Sequence, residues 1–158
     1  FKGIRFINEE AGYNFGGAVD DIWQKPSGEL IVVDVKSTSK NVFDWEDTYS
    51  KWEYAKGYQR QLEMYQWLLE KNGFEVASEG YLVYYNGKKH EPMFNQQLTF
   101  DLHLVRLECD NSWVEEAVLN AKATLDGDMP KPARSCENCN YLRKRWEVSQ
   151  KDPNKLVD

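Results

Sequence analysis

The strongest pattern in the chain is a pair of β-rich apolar runs separated by a polar turn. Ala18–Trp23 comes first, then Gln24-Lys25-Pro26-Ser27-Gly28-Glu29, then Leu30–Lys36. Proline and glycine inside a short polar link between such runs predict a hairpin. Leu30-Ile31-Val32-Val33 is apolar at consecutive positions, so that strand is expected to be buried on both faces. The run closes on Asp34-Val35-Lys36. Side chains alternate across a strand, so Asp34 and Lys36 share one face and Val35 takes the other. Asp20, on the partner strand, can lie near them.

Other periodicities fill in the chain. Ile4, Phe6 and Ile7 can begin a strand, and Gly12, Gly16 and Gly17 mark turns. Leu62, Tyr65, Leu68 and Leu69 recur at three- and four-residue spacing, which predicts a helix from about Tyr58 to Asn72, stopped by Asn72-Gly73. Gly80–Asn86 reads as a strand closed by the Asn86-Gly87 turn, and residues 97–107 alternate as a further strand. His103 lies on the face opposite Leu102 and Leu104, so it is expected to point to solvent. His90 reads as a surface or packing residue. Ser112 with Glu115 offers a capping box for a helix through Val114, Val118, Ala121 and Leu125. Past Pro130 and Pro132 comes Cys136-Glu137-Asn138-Cys139, then a basic tail that is helical at first and frayed over 142–158. Strands that meet a returning helix indicate an α/β class with a mixed sheet flanked by helices.

Composition narrows the setting. The 158 residues fit one domain with a real core. Aromatics make up 14%, which argues against disorder, and the net charge of −6 argues against nucleic-acid binding through bulk positive charge alone. An acidic metal site remains compatible with that charge. No apolar run is long enough to span a bilayer, and no signal peptide is evident. The first residue is Phe1 rather than Met, which points to an excised domain or a disordered start. Three cysteines make no disulfide framework and indicate a reducing, intracellular (cytoplasmic) compartment.

Three features carry candidate chemistry. Asp20, Asp34 and Lys36 would converge at a sheet end, an arrangement suited to a divalent cation and a phosphate. Glu9 and Glu10 are either solvated loop charges or a further acidic ligand. Gln61 and Tyr65 are four apart, so they stack on one helix face. They form either a half-solvated boundary or a polar pair aimed at something beside the sheet. Residues 42–56 mix Phe43, Trp45, Tyr49, Trp52 and Tyr54 with acids. That segment is either a packed cover over the core or a stacking platform for bases.

In order, Gly17-Ala18-Val19-Asp20 (G-x-x-D), Asp34-Val35-Lys36 (D-x-K) and Gln61-Leu62-Glu63-Met64-Tyr65 (Q-x-x-x-Y) resemble the motif set of the PD-(D/E)XK nuclease superfamily, and in particular its RecB-like and CRISPR-adaptation exonuclease branch. Cys136-x-x-Cys139-x-Tyr141 resembles that branch's C-terminal cysteine region. The resemblance covers about Gly17 to Tyr141. It implies a restriction-endonuclease-like core in a single domain, and a metal-dependent nuclease that hydrolyses DNA phosphodiester bonds in repair, recombination, replication or phage and CRISPR processing. It further implies Mg2+ (with Mn2+ as substitute) held by Asp20, Asp34 and the Val35 carbonyl. Lys36 would stabilise growing charge or orient the attacking water, and Gln61 and Tyr65 would brace the site or contact the DNA backbone. DNA is the implied partner, with a helicase or another replication or repair protein beside it, and no membrane. The iron–sulfur branch uses four cysteines. Here only Cys136 and Cys139 fit that pattern, Arg145 stands where a third would fall, and Cys109 reads as a buried apolar thiol, so no cluster is expected within the chain. Asp21 faces away from Asp20 and is expected to matter less. The competing expectation is a catalytically silent module of the same fold that serves as a scaffold.

Overall fold

The Pro-Gly link forms a hairpin. The Lys25 N–H donates to the Glu29 carbonyl and the Gly28 N–H to the Lys25 carbonyl, both at 2.9 Å. Gly28 sits at φ +100°, a conformation that side chains with a Cβ rarely adopt. These are features of a computed structural model that describes residues 3–90 and 96–151. The chain divides into two compact units, residues 1–120 and 121–158. Among the described residues, no helix is long and apolar enough to cross a membrane.

The first unit begins with a small antiparallel hairpin, β1 (Ile4–Asn8) and β2 (Tyr13–Gly17). The second of these strands was not legible in the sequence, because Tyr13-Asn14-Phe15-Gly16-Gly17 carries turn-forming residues through its length. The main sheet contains β3 (Asp21–Gln24), β4 (Leu30–Thr38), β5 (Val76–Gly87) and β6 (Phe100–Glu108), in that spatial order. β4 and β5 run parallel and the outer pairs antiparallel, so the sheet is mixed. A parallel pair needs a long crossover. Here α1 (Trp45–Lys51) and α2 (Glu53–Lys71) supply it.

α2 lies across one face of the sheet. Leu62 and Leu69 pack with Val32, Leu82, Tyr84 and Val105 in the main core. Beside it, Trp67 and Leu68 join Tyr13 of the hairpin and Val114 and Val118 of α3 (Val114–Asp126). Buried polar groups in α2 tie the strands to the helix. Gln66, 2% exposed, donates to the carbonyls of Ala77 and Glu79. Glu63, 5% exposed, accepts from the Trp113 indole at 2.7 Å and the Asp110 N–H at 3.2 Å. Glu115 of the expected capping box reaches Lys71 at 2.7 Å, which joins α3 to α2.

β6 reverses one expectation. Its α2-facing side carries His103 and Val105, while Leu102 and Leu104 are 63% and 57% exposed. His103 points inward and stacks on Phe43, with ring centroids 4.1 Å apart. Alternation separates two faces but cannot say which one the helix will cover. The aromatic segment likewise splits. Phe43 and Trp45 pack against Tyr84, while Trp52 and Tyr54 stay exposed.

The second unit holds the last turns of α3 and α4 (Glu137–Lys151). Cys136 precedes α4, and its Sγ accepts the Cys139 N–H at 3.4 Å. The helical start of the basic tail extends to Lys151. Residues 142–151 of the tail expected to fray are therefore helical, and residues 152–158 lie outside the described residues.

Candidate active site

Asp34 is the buried centre of the site. It follows Ile31, Val32 and Val33 along β4, all at or below 9% exposure, and is itself 1% exposed. Alternation sends Asp34 and Lys36 toward α2 and leaves Val35 43% exposed on the other face. Lys36 Nζ lies 2.5 Å from Asp34 Oδ2, so the ammonium is the partner of this buried oxygen. Burial lifts the Asp34 carboxyl above its usual range, and the nearby Asp20 carboxylate adds to that rise. The Lys36 ammonium pulls the other way without cancelling it.

Asp20 reaches the site from a bend just before β3, not from within the strand as the hairpin pattern implied. β3 pairs with β4 only as far as Val33, which frees the next backbone groups on that edge. Asp20 fills the gap, and its Oδ2 accepts the Val35 N–H at 2.9 Å. In a strand the N–H and C=O of one residue point to the same edge, so the Val35 carbonyl shares the edge with Asp20.

α2 completes the constellation. Lys36 Nζ donates to Gln61 Oε1 at 3.1 Å, and Gln61 Nε2 donates to the Tyr65 hydroxyl at 3.1 Å. The Tyr65 ring in turn occupies the space beside Gly17. A Cβ on that glycine would stand 2.5 Å from Tyr65 Cε1, so a close backbone approach accounts for the glycine of G-x-x-D. The structure thus brings Asp20, Asp34, Lys36, Gln61, Tyr65 and the Val35 backbone together.

The family model of the PD-(D/E)XK nuclease superfamily matches residues 1–143. The chain belongs to the PD-(D/E)XK nuclease superfamily. No curated protein matches. One solved structure, titled "Crystal structure of SSO0001", is similar at 19% identity and a TM-score of 0.40, over 80% of this chain and 48% of that one. The chain therefore spans about half the length of that structure.

Superfamily membership brings an expectation of nuclease chemistry and of a divalent metal ion, against which the donors of this PD-(D/E)XK chain can be tested. Hard cations such as Mg2+ take oxygen ligands, often one or two carboxylates with waters. Asp20, Asp34 and the Val35 carbonyl offer that chemistry, a buried carboxylate beside the strand edge that Asp20 reaches. Among the described residues, no group of three or more His, Cys, Asp or Glu side chains gathers. Glu9 and Glu10 are exposed at the turn of the β1–β2 hairpin, five paired positions from its Gly17 end.

Sequence reading missed Tyr58, whose ring lies 4.5 Å under Lys36 Nζ. The signal was present: Tyr54, Tyr58, Gln61 and Tyr65 recur at four, three and four residues along one face of α2. It also missed Asn86, 7% exposed, whose amide bonds both the N–H and the carbonyl of Lys40. That clamp holds the loop that follows β4. The cysteines lie apart in role. Cys109 packs against the main core, and burial pushes its thiol up to about 12. Cys136 is held below the usual thiol range by hydrogen bonds from Cys139, whose own thiol is raised by the same contact.

Proposed function

We propose that this domain is a metal-dependent deoxyribonuclease of the RecB-like, exonuclease type, acting on DNA inside the cell beside a helicase or another repair or replication protein. The observation that carries the reading is Lys36 held between the buried Asp34 carboxylate and Gln61, with Asp20 on the adjoining strand edge. Asp20, Asp34 and the Val35 carbonyl are the groups that would hold Mg2+ or Mn2+. When bound, such an ion supplies charge neutralisation at phosphorus and a lowered pKa for coordinated water.

The remaining chemistry belongs to the chain. Lys36 is fixed at three points, by Asp34, Gln61 and the face of Tyr58, and its ammonium would stand near a phosphoryl group brought to Asp20 and Asp34. A preorganised cation of this kind stabilises charge that grows in the transition state. Electrostatic stabilisation is the role that the placement of Lys36 against Asp34 suits. Gln61 sets the lysine's position, and Tyr65 sets the position of Gln61.

Labelled DNA incubated with Mg2+ or Mn2+ tests the reading. Asp34→Ala should abolish cleavage, and Lys36→Ala should lower it by about 10²–10³-fold, the usual loss on removing one preorganised donor. Both variants should keep the parent circular dichroism spectrum. Cutting at the parent rate by either variant would overturn the assignment.

A further inference from the structure

The α2 face that bears Gln61 and Tyr65 continues toward its N-terminus as a row of rings. Tyr58 lies under Lys36 Nζ at 4.5 Å. Tyr54 meets Tyr58 edge-on at 5.7 Å, and Trp52 lies against Tyr54 at 6.2 Å with the planes tilted by 32°. Exposure rises along the row, from half-buried Tyr58 to 45% at Tyr54 and 55% at Trp52. A cavity of about 230 Å³ opens beside it, lined in part by Ser37, Thr38, Lys40, Tyr54 and Tyr58. Rings thus lead without interruption from the lysine of the candidate site to open solvent, with hydroxyls and an ammonium alongside.

Trp52 occupies a position where folding alone would choose otherwise. It is the C-cap of α1 and the N-cap of α2, and its side chain makes no capping hydrogen bond. Ser, Thr, Asn or Asp at an N-cap stabilises a helix by about 0.5–2 kcal/mol relative to a residue that cannot cap. An exposed indole at that point forgoes this stabilisation and presents a large flat face to solvent.

We infer that Trp52 and Tyr54 form a stacking platform for unpaired nucleobases, so that the strand delivered to Lys36 is single-stranded or frayed. The inference rests on the nuclease reading above and names the state of its substrate. Every base has a π-face, and stacking on an aromatic side chain contributes about 1–3 kcal/mol per base. Within a duplex both faces of a base are already covered by its neighbours, so the platform discriminates between strand states. The net charge of −6 fits a site that gains affinity from rings rather than from bulk positive charge.

The test is binding of a fluorescent oligothymidine, an abasic strand of the same length, an oligouridine and a blunt duplex, measured in EDTA so that nothing is cut. The parent should bind the base-bearing strands about tenfold or more tightly than the abasic one, as the stacking free energy requires. Trp52→Ala and Tyr54→Ala should each erase most of that preference and leave duplex binding unchanged, while Trp52→Phe should retain it. A preference for the deoxy or for the ribo strand supports the platform either way and identifies the sugar. Equal binding of abasic and base-bearing strands by the parent would overturn the platform, as would Trp52→Ala binding like the parent. Metal-dependent cleavage is scored separately. A parent that cleaves but shows no preference sinks the platform alone, and a parent that shows the preference without cleaving sinks the nuclease reading alone.

Discussion

Gly17→Ala is the sharpest probe of how the hairpin braces the site. The added Cβ would stand 2.5 Å from Tyr65 Cε1 and 3.2 Å from Cδ1. Carbon atoms prefer about 3.5–4.0 Å, so the overlap is about 1 Å. Gly17 lies outside the left-handed region, so the backbone accepts alanine and the cost is steric. Tyr65 packs against both buried clusters and holds Gln61 through its hydroxyl, so the ring has little room to retreat. Overpacking of this kind costs about 1–3 kcal/mol. For a chain of this length that lowers Tm by about 2–12 °C. In a Tyr65→Ala background the obstruction is gone. There Gly17→Ala should be neutral or stabilise by up to about 1 kcal/mol through the unfolded chain. Denaturant unfolding of the parent, both single variants and the double variant gives the coupling energy directly. An equal cost of Gly17→Ala in both backgrounds would refute the close approach as the reason for the glycine. Displacing Tyr65 should also slow cleavage, by about 10–100-fold, because Lys36 loses its positioned partner.

Other consequences follow from the buried groups. Burial holds the Asp34 carboxyl above the usual carboxylate range, so the folded state keeps this proton more tightly than the unfolded chain does. Stability from this group is fully present below the unfolded value and is lost as pH rises through the folded one. Asp34→Asn, which cannot ionise, should therefore gain in Tm relative to the parent as pH rises above the ordinary carboxylate range, and a gap that does not vary with pH would contradict the burial argument. Mg2+ or Mn2+ at about 100 times its Kd should stabilise the parent by about 2.7 kcal/mol in a thermal shift assay, with no shift for Asp34→Asn. Among the described residues the buried Nε2 of His103 has no partner, so His103→Leu should raise stability by about 1 kcal/mol in urea unfolding. A loss of stability would mean that the stack on Phe43 outweighs the unpaired nitrogen.

Much of the site was legible because it is local. Strand alternation places Asp34 and Lys36 on one face within three residues, and helical period places Gln61 below Tyr65 within five. The buried run before Asp34 made its carboxylate conspicuous, since an apolar strand has no other use for one. The legible part of the fold has the same origin: β4, most of α2 and β5 are long segments with a clear period or apolar run. β2 and α1 were hidden, one by glycines in a strand and the other by aromatic residues with no simple repeat.

What the chain could not disclose by itself is how separate segments meet. Alternation in β6 defined two faces, and only packing against α2 decided that His103 and Val105 go inward. Aromatic residues 43–54 read as one segment, and only the turn at Trp52 divided them into core and surface. The bond from Lys36 to Gln61 joins residues 25 apart, and the Gly17–Tyr65 approach joins two layers. Local geometry follows from covalent chirality and period, so a sequence carries it directly. Contacts between layers depend on which apolar faces exclude water together, and that is settled only when the whole unit closes.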